Sequence, residues 1–209
     1  MESEAVTRLR TAIARTAELV AARPRTGQNH DGADDVHGTI ATDDAIGFDP
    51  VPLLEALDAA GVPVVVIGQV AGIMHGSVEL TGDLDFLWDG AAERAAALAS
   101  VFADFGAQLV GNDDKPLACE AAAFLLPKTQ FTTTHASGDA CTLALPWGGL
   151  DVAPFLDRAE VATTAAGRRI RYLAREDLIA MRRAVGRPKD LRRAEELERR
   201  DTPPGDQTQ

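Results

Sequence analysis

Aromatic side chains make up only 5% of the 209 residues, cysteine occurs twice, and no apolar run approaches the roughly 18 residues of a bilayer-spanning helix. With so few aromatics and abundant alanine, the core is expected to be mostly aliphatic. Cys119 and Cys141 have neither metal-type spacing nor a CxxC pairing. That excludes a disulfide framework and a structural zinc site and leaves two plain buried thiols. The opening residues, MESEAVTRLR, lack the basic start and apolar run of a secretory leader, so the expectation is a cytoplasmic protein with no membrane association. The length suits one domain of ordinary size with some appendages.

A formal net charge of -11 argues against a generic nucleic-acid-coating protein. The charge is unevenly spread, however. Arg168 to Arg200 holds twelve Arg or Lys against six Asp or Glu, so this stretch is +6 and the remainder is -17. An acidic body with a basic end suits a site where carboxylates hold cations and arginines meet phosphate. Mixed ion pairs on a solvated helix face are the plainer reading.

Residues 1–23 read as an N-terminal amphipathic helix, with Val6, Leu9, Ile13, Leu19 and Val20 at three- and four-residue spacing. Residues 24–50 turn rich in Gly, Asp and Thr. Arg25 to Pro50 holds six aspartates and one arginine, which predicts an acidic mobile linker. His30 and His37 fall in it, where nothing fixes a ligand geometry, and solvated disorder is expected of them. Residues 51–174 form the core region. It opens with a short helix ended by Gly61, followed by the β-branched run Val62 to Ile67. A helical turn follows over Gln69 to His75, and Asp83 to Trp88 alternates polar and apolar residues as a half-buried strand does. Ala91 to Phe105 reads as a helix. Lys128 to His135 and Ala140 to Pro146 read as strands joined near Ser137-Gly138-Asp139. Leu150 to Phe155 reads as a further short strand carrying Asp151, and Arg169 to Leu173 as another. Residues 175–200 are strongly helical with a break at Gly186-Arg187-Pro188, and 201–209 read as a frayed tail.

The stretch with chemical content is Val64 to Ser77 followed by Thr81-Gly82-Asp83-Leu84-Asp85-Phe86. A strand ending at Gly68 and running straight into a helix lets backbone N–H groups approach an anion closely. On the next strand, Asp83 and Asp85 sit side by side with Leu84 anchoring the strand behind them. Two adjacent carboxylates repel each other unless a divalent cation resolves the conflict, and magnesium matches carboxylate and triphosphate oxygens. A third carboxylate on a neighbouring strand completes such a site. Asp151, after Gly148-Gly149 and between apolar residues, is the first candidate, with Asp157 in reserve.

The apolar strand, Gly68-Gln69, thirteen intervening residues and Asp83-Leu84-Asp85 together resemble the nucleotidyltransferase superfamily that includes DNA polymerase beta. More narrowly, His75-Gly76-Ser77, Thr81-x-Asp83-x-Asp85 and the late segment Asp177 to Asp190, with Gly186-Arg187-Pro188-Lys189-Asp190, look like bacterial nucleotidyltransferase proteins of the abortive-infection and type IV toxin group. The resemblance covers about Val62 to Glu198. It implies an α/β (α+β) fold, a polymerase-beta-like core with a mixed sheet between an N-terminal helix and a C-terminal helical segment.

The implied activity is magnesium- or manganese-dependent transfer of a nucleoside monophosphate from a nucleoside triphosphate to RNA, protein or a small molecule. A cognate inhibitor protein is an implied partner. Asp83, Asp85 and Asp151 then serve as catalytic and metal-binding residues, with Gly68, Gln69, Ser77 and Arg182 binding the nucleotide. The chain departs from the family pattern at Gln69, where glycine or serine is common. It departs again at Glu79, where arginine is usual, and at Arg182, where lysine is frequent. Those departures carry the alternative reading, a catalytically degenerate binding or regulatory module of the same fold. A third reading is RNA binding by the basic helix from Arg182 to Arg200. His75, Trp88, Trp147 and Phe155 are expected to pack structurally.

Overall fold

A computed structural model describes residues 1–34, 36–111 and 115–200. The expected frayed tail at 201–209 lies outside the described residues. The chain is a mixed α/β structure around an eight-stranded sheet in the order β4-β3-β5-β6-β2-β1-β8-β7. The strands are β1 (Val65–Val66), β2 (Phe86–Trp88), β3 (Gln108–Val110), β4 (Pro116–Leu117), β5 (Lys128–Thr132), β6 (Ser137–Thr142), β7 (Glu160–Thr163) and β8 (Arg169–Tyr172). The helices are α1 (Glu4–Val20), α2 (Val51–Ala59), α3 (Gly68–Met74), α4 (Ala92–Asp104), α5 (Ala121–Phe124), α6 (Ala153–Arg158), α7 (Arg175–Val185) and α8 (Pro188–Arg199). At the centre, β1 runs antiparallel to β2 and parallel to β8, and β2 runs parallel to β6. Strand ends carrying chemical groups from β1, β2 and β6 are thereby set side by side.

The core is mostly aliphatic and holds one aromatic knot. Phe102 lies with its ring centroid 4.9 Å from both Phe124 and Phe131 and 6.0 Å from Phe86. The sparse aromatics are thus concentrated where α4 and α5 meet the sheet. Along α1, Val6 and Leu9 are fully buried and Val20 nearly so, while Leu19 faces solvent off the stripe. That stripe packs on α3 and β7. Cys119 and Cys141 are free thiols. No helix among the described residues is long and apolar enough to cross a membrane.

Three local expectations are corrected. The turn between β5 and β6 falls at residues 133–136, where Thr133 N donates to Ala136 O at 2.9 Å, so Ser137-Gly138-Asp139 lies inside β6. Gly138 is required by close approach and not by a turn, because a Cβ there would sit 1.9 Å from Leu84 O. Residues 150–155 form no strand. A short 3-10 turn at Trp147–Gly149 leads into α6, with proline in its first turn. Proline at that place is compatible with a helix start and has no N–H to give a sheet.

The third correction concerns 24–50, which folds onto the core as a strap with 3-10 turns at His30–Gly32, Gly38–Ala41 and Asp43–Ala45. Asp34, Asp43 and Asp44 cap the strap's own backbone. Asp43 accepts from Thr26 N at 2.9 Å and Gly27 N at 2.8 Å, and Asp34 accepts from Val36 N at 2.8 Å. Arg23 donates to Ile40 O at 2.5 Å, and Ala45 and Phe48 are buried. Side chains read as solubilising charge thus satisfy local N–H groups that would otherwise need water or regular structure.

Candidate active site

Asp83 and Asp85 lie on the segment entering β2, and between and after them Leu84 and Phe86 are fully buried. The alternation therefore turns both carboxylates to one side, into a cleft of about 330 Å³. Ile67 N donates to Asp85 O at 2.9 Å, which locks this segment to the end of β1. Immediately afterwards Gly68 turns into α3 with φ +64°, and a Cβ there would meet Asp85 Oδ2 at 2.7 Å. Only glycine fits that approach without strain.

The third carboxylate of the cleft is Asp139, on β6. Phe86 pairs with Ala140, so Asp139 falls beside Asp85, and Asp139 N donates to Asp85 Oδ1 at 3.2 Å. Burial, followed by repulsion from Asp83 and Asp139, pushes the Asp85 carboxyl well above the usual carboxylate range. For Asp139 burial works in the same direction, but His30 and Lys128 outweigh it and the carboxyl is held below its ordinary value. Lys128 Nζ stands 2.8 Å from Asp139 Oδ2, and His30 Nε2 stands 3.7 Å from Oδ1.

The strap closes this corner of the cleft. Thr39 donates its hydroxyl to Asp83 Oδ1 at 2.7 Å and accepts from Gly82 N at 3.1 Å, while Thr81 also donates to Asp83. His30 is held from behind by Asp44, through its backbone N at 2.6 Å and its ring Nδ1 at 3.0 Å. Gly82 has no room for a side chain, since a Cβ would meet Ala45 Cα at 2.6 Å.

Arg187, Lys189 and Arg193 also line the cleft, with Asp190, which pairs with Arg187 at 2.6 Å, and with Trp147, Leu145, Met181 and Val185. Trp147 has a left-handed φ of 39°, uncommon for a bulky side chain, and its indole N–H donates to Thr142 O at 3.1 Å. It packs against the core, as expected, and its other side forms part of the cleft wall. Carboxylates, cations and an apolar wall in one cleft suit a ligand with a phosphorylated end and a flat end.

The remaining expectations divide. Gly68, Gln69 and Arg182 line the cleft, as do Asp83 and Asp85. Gln69 is buried, however, and its amide donates to Ser77 Oγ at 3.0 Å and Glu79 O at 2.8 Å. Arg182 is equally committed, donating to Gln69 Oε1 at 2.8 Å, Arg193 O at 3.0 Å and Gly68 O at 3.3 Å. Burial, and then the charge of Arg193, lowers its pKa to about 10. It braces α7 against the glycine turn. Ser77 lies outside the cleft lining and donates to Glu196 Oε2 at 2.8 Å. Glu79 is neutralised by Arg193, with Arg193 Nε donating at 3.0 Å.

Asp151 is not a cleft residue. It is exposed, and its carboxylate accepts from Ala153 N at 3.1 Å at the start of α6. Asp157 is also exposed and lines a separate cavity. His75 is structural, with Nε2 2.8 Å from Leu173 O and its ring 5.0 Å from that of Tyr172. Trp88 and Phe155 are core residues. Sequence reasoning missed Asp139, whose signal was an aspartate one residue before the apolar pair Ala140-Cys141. His30 was set aside as a solvated linker histidine although it lies among aspartates, and Thr39 was missed, with no signal in the sequence beyond its polarity.

Among the described residues, no three Asp, Glu, His or Cys side chains converge as a ready-made cage for an ion. Magnesium is commonly held by one or two carboxylates, with water and phosphate oxygens completing its shell. The neighbouring Asp83 and Asp85 carboxylates, both lining one cleft, fit that requirement. No protein-family model matches the chain, and no curated protein matches it.

Proposed function

We propose that the protein is a magnesium-dependent nucleotidyltransferase that moves a nucleoside monophosphate from a nucleoside triphosphate to an acceptor hydroxyl. The observation that carries this reading is the pairing of Asp83 and Asp85 beside Asp139 in one cleft that Arg187, Lys189 and Arg193 also line. The reading is supported by the resemblance of Gly68-Gln69, Asp83-Leu84-Asp85 and Gly186-Arg187-Pro188-Lys189-Asp190 to nucleotidyltransferases.

In this reading Asp83 and Asp85 hold the cation and Arg187 and Lys189 take the outer phosphates. The base lies against Trp147. Bound magnesium would offset the triphosphate charge and stabilise the charge that builds on the departing pyrophosphate. The acceptor oxygen attacks the α-phosphorus in line, the bond between the α-phosphorus and the bridging oxygen breaks, and pyrophosphate leaves. Asp139 accepts the proton of the attacking hydroxyl as its oxygen bonds to phosphorus; activation of the acceptor, together with metal binding, was expected of Asp151. Arg182 and Gln69 fix the turn that carries Gly68 and are positioning residues.

The test is incubation with each triphosphate labelled at the α-phosphate, magnesium, and bulk RNA or protein. Label transfer with pyrophosphate release is expected, and its loss in Asp83→Asn follows. Absence of both for every triphosphate and acceptor would contradict the reading.

The second reading, a binding or regulatory module without turnover, is favoured by one observation. Thr39 already donates to Asp83, and Lys128 already pairs with Asp139. On this reading triphosphate binds and no label moves.

A further inference from the structure

On the far side of the turn from His75 to Glu79 lies a second groove, of about 640 Å³, between α1, the start of α7 and the end of α8. Four arginines line it: Arg8 and Arg15 from α1, Arg175 from α7 and Arg200 at the end of α8. Among the described residues, the only carboxylate in the lining is Glu4, already bonded by Arg8. Arg200 pairs with Glu196 at 3.0 Å, so the four arginines meet two carboxylates and the groove stays positive in a chain of net charge -11.

Two of the arginine heads, those of Arg8 and Arg200, meet at the floor of the groove. A Cβ on Gly76 would lie 3.8 Å from Arg200 Nη1 and 4.0 Å from Arg8 Cζ. Arg8 and Arg15 are seven residues apart on one helix, hence about 10 Å along its axis at the usual helical rise. A repeating phosphodiester backbone matches that spacing. The groove and the cleft lie on two sides of one buried contact: Ser77 lines the groove and accepts from Gln69, which lines the cleft, and α8 carries Lys189 and Arg193 in the cleft lining and ends at Arg200 in the groove lining.

We propose that this groove binds the sugar-phosphate backbone of a nucleic acid strand. Its terminal hydroxyl is then the acceptor in the cleft, and that last step alone rests on the proposed nucleotidyl transfer. Arg8, Arg15, Arg175 and Arg200 meet successive phosphates, and α8 leads the strand toward Asp139.

The experiment is fluorescence anisotropy of a labelled single-stranded oligoribonucleotide with the full chain at several salt concentrations, repeated for Arg15→Glu and for Arg15→Gln/Arg175→Gln. Arg15 is exposed, so its charge reversal leaves the fold intact even where the double variant does not. Each variant is expected to weaken binding about tenfold or more, and the slope of log affinity against log salt should fall by about 0.7 for each phosphate no longer neutralised. Magnesium-triphosphate binding, measured separately, should be unchanged in Arg15→Glu. The proposal is overturned by a wild type that does not bind the oligonucleotide, by equal affinities and salt slopes in wild type and Arg15→Glu, or by polyglutamate displacing the strand as well as unlabelled oligonucleotide does. A wild type that binds the strand but no triphosphate would contradict the transfer reaction and leave the groove assignment standing.

Discussion

Thr39 donates its hydroxyl to Asp83 Oδ1 at 2.7 Å, a bond spanning 44 residues that ties the acidic strap to a carboxylate of the cleft. The same oxygen of Thr39 receives Gly82 N, so one side chain fixes both the carboxylate and the turn before it. Thr39→Val keeps the shape and removes these bonds. With Thr81 still donating to Asp83, the loss should fall near the lower end for hydrogen bonds to charged groups, about 1.5 kcal/mol. Denaturant unfolding checks the magnitude, and hydrogen exchange should quicken over 28–45 in the variant. Exchange there as fast in the wild type as in an unfolded chain would show that the strap is not docked.

Asp85 provides a pH test whose sign is fixed by its environment. Its carboxyl is raised by burial first and then by Asp83 and Asp139. A carboxyl raised on folding favours the folded state in its protonated form. Its contribution is full below the unfolded carboxylate value and is lost as pH rises through the folded value. Asp85→Asn should therefore raise the melting temperature of the metal-free protein at neutral pH and give little gain under acid conditions below that unfolded value. The Asn Oδ1 can still accept from Asp139 N. A gain of equal size at both pH values would assign the effect to packing instead.

Much of the fold was legible because it rests on local chemistry. The stripe of α1, the glycine stop after α2, the β-branched run of β1 and the break between α7 and α8 all follow from residue types at fixed spacing. The pairing of Asp83 with Asp85 was legible for the same reason, since alternation alone puts them on one side. What failed depended on distant partners. Gly138 looked like a turn because its crowding by Leu84 O involves another strand. Asp151 looked like a strand carboxylate until Pro154 is taken as a helix starter. Asp139 reached the site only through the register of β6 on β2. Asp34, Asp43 and Asp44 of the strap were counted as charge, whereas their carboxylates serve as caps for particular N–H groups.

Arg182 was expected to contact phosphate, and its bonds to Gln69, Gly68 and Arg193 change the forecast. Arg182→Ala strips a buried amide and two carbonyls of a charged donor. The cost should be on the order of 3 kcal/mol of stability, from a missing charged hydrogen bond and the groups it leaves unsatisfied. Arg182→Lys should restore little, because one ammonium cannot reproduce the planar fork. Urea unfolding of both variants checks this. Unchanged stability with weakened triphosphate binding would return Arg182 to the ligand.

The most direct test of the central claim is a calorimetric titration of a non-hydrolysable nucleoside triphosphate, with and without magnesium, into wild type, Asp83→Asn and Asp151→Asn. Asp83 and Asp85 share the cleft, whereas Asp151 is exposed outside it and holds only Ala153 N. The predicted result is binding that depends on magnesium in wild type and in Asp151→Asn and is lost in Asp83→Asn. Binding unaffected by magnesium, or retained in Asp83→Asn and lost in Asp151→Asn, would contradict the assignment.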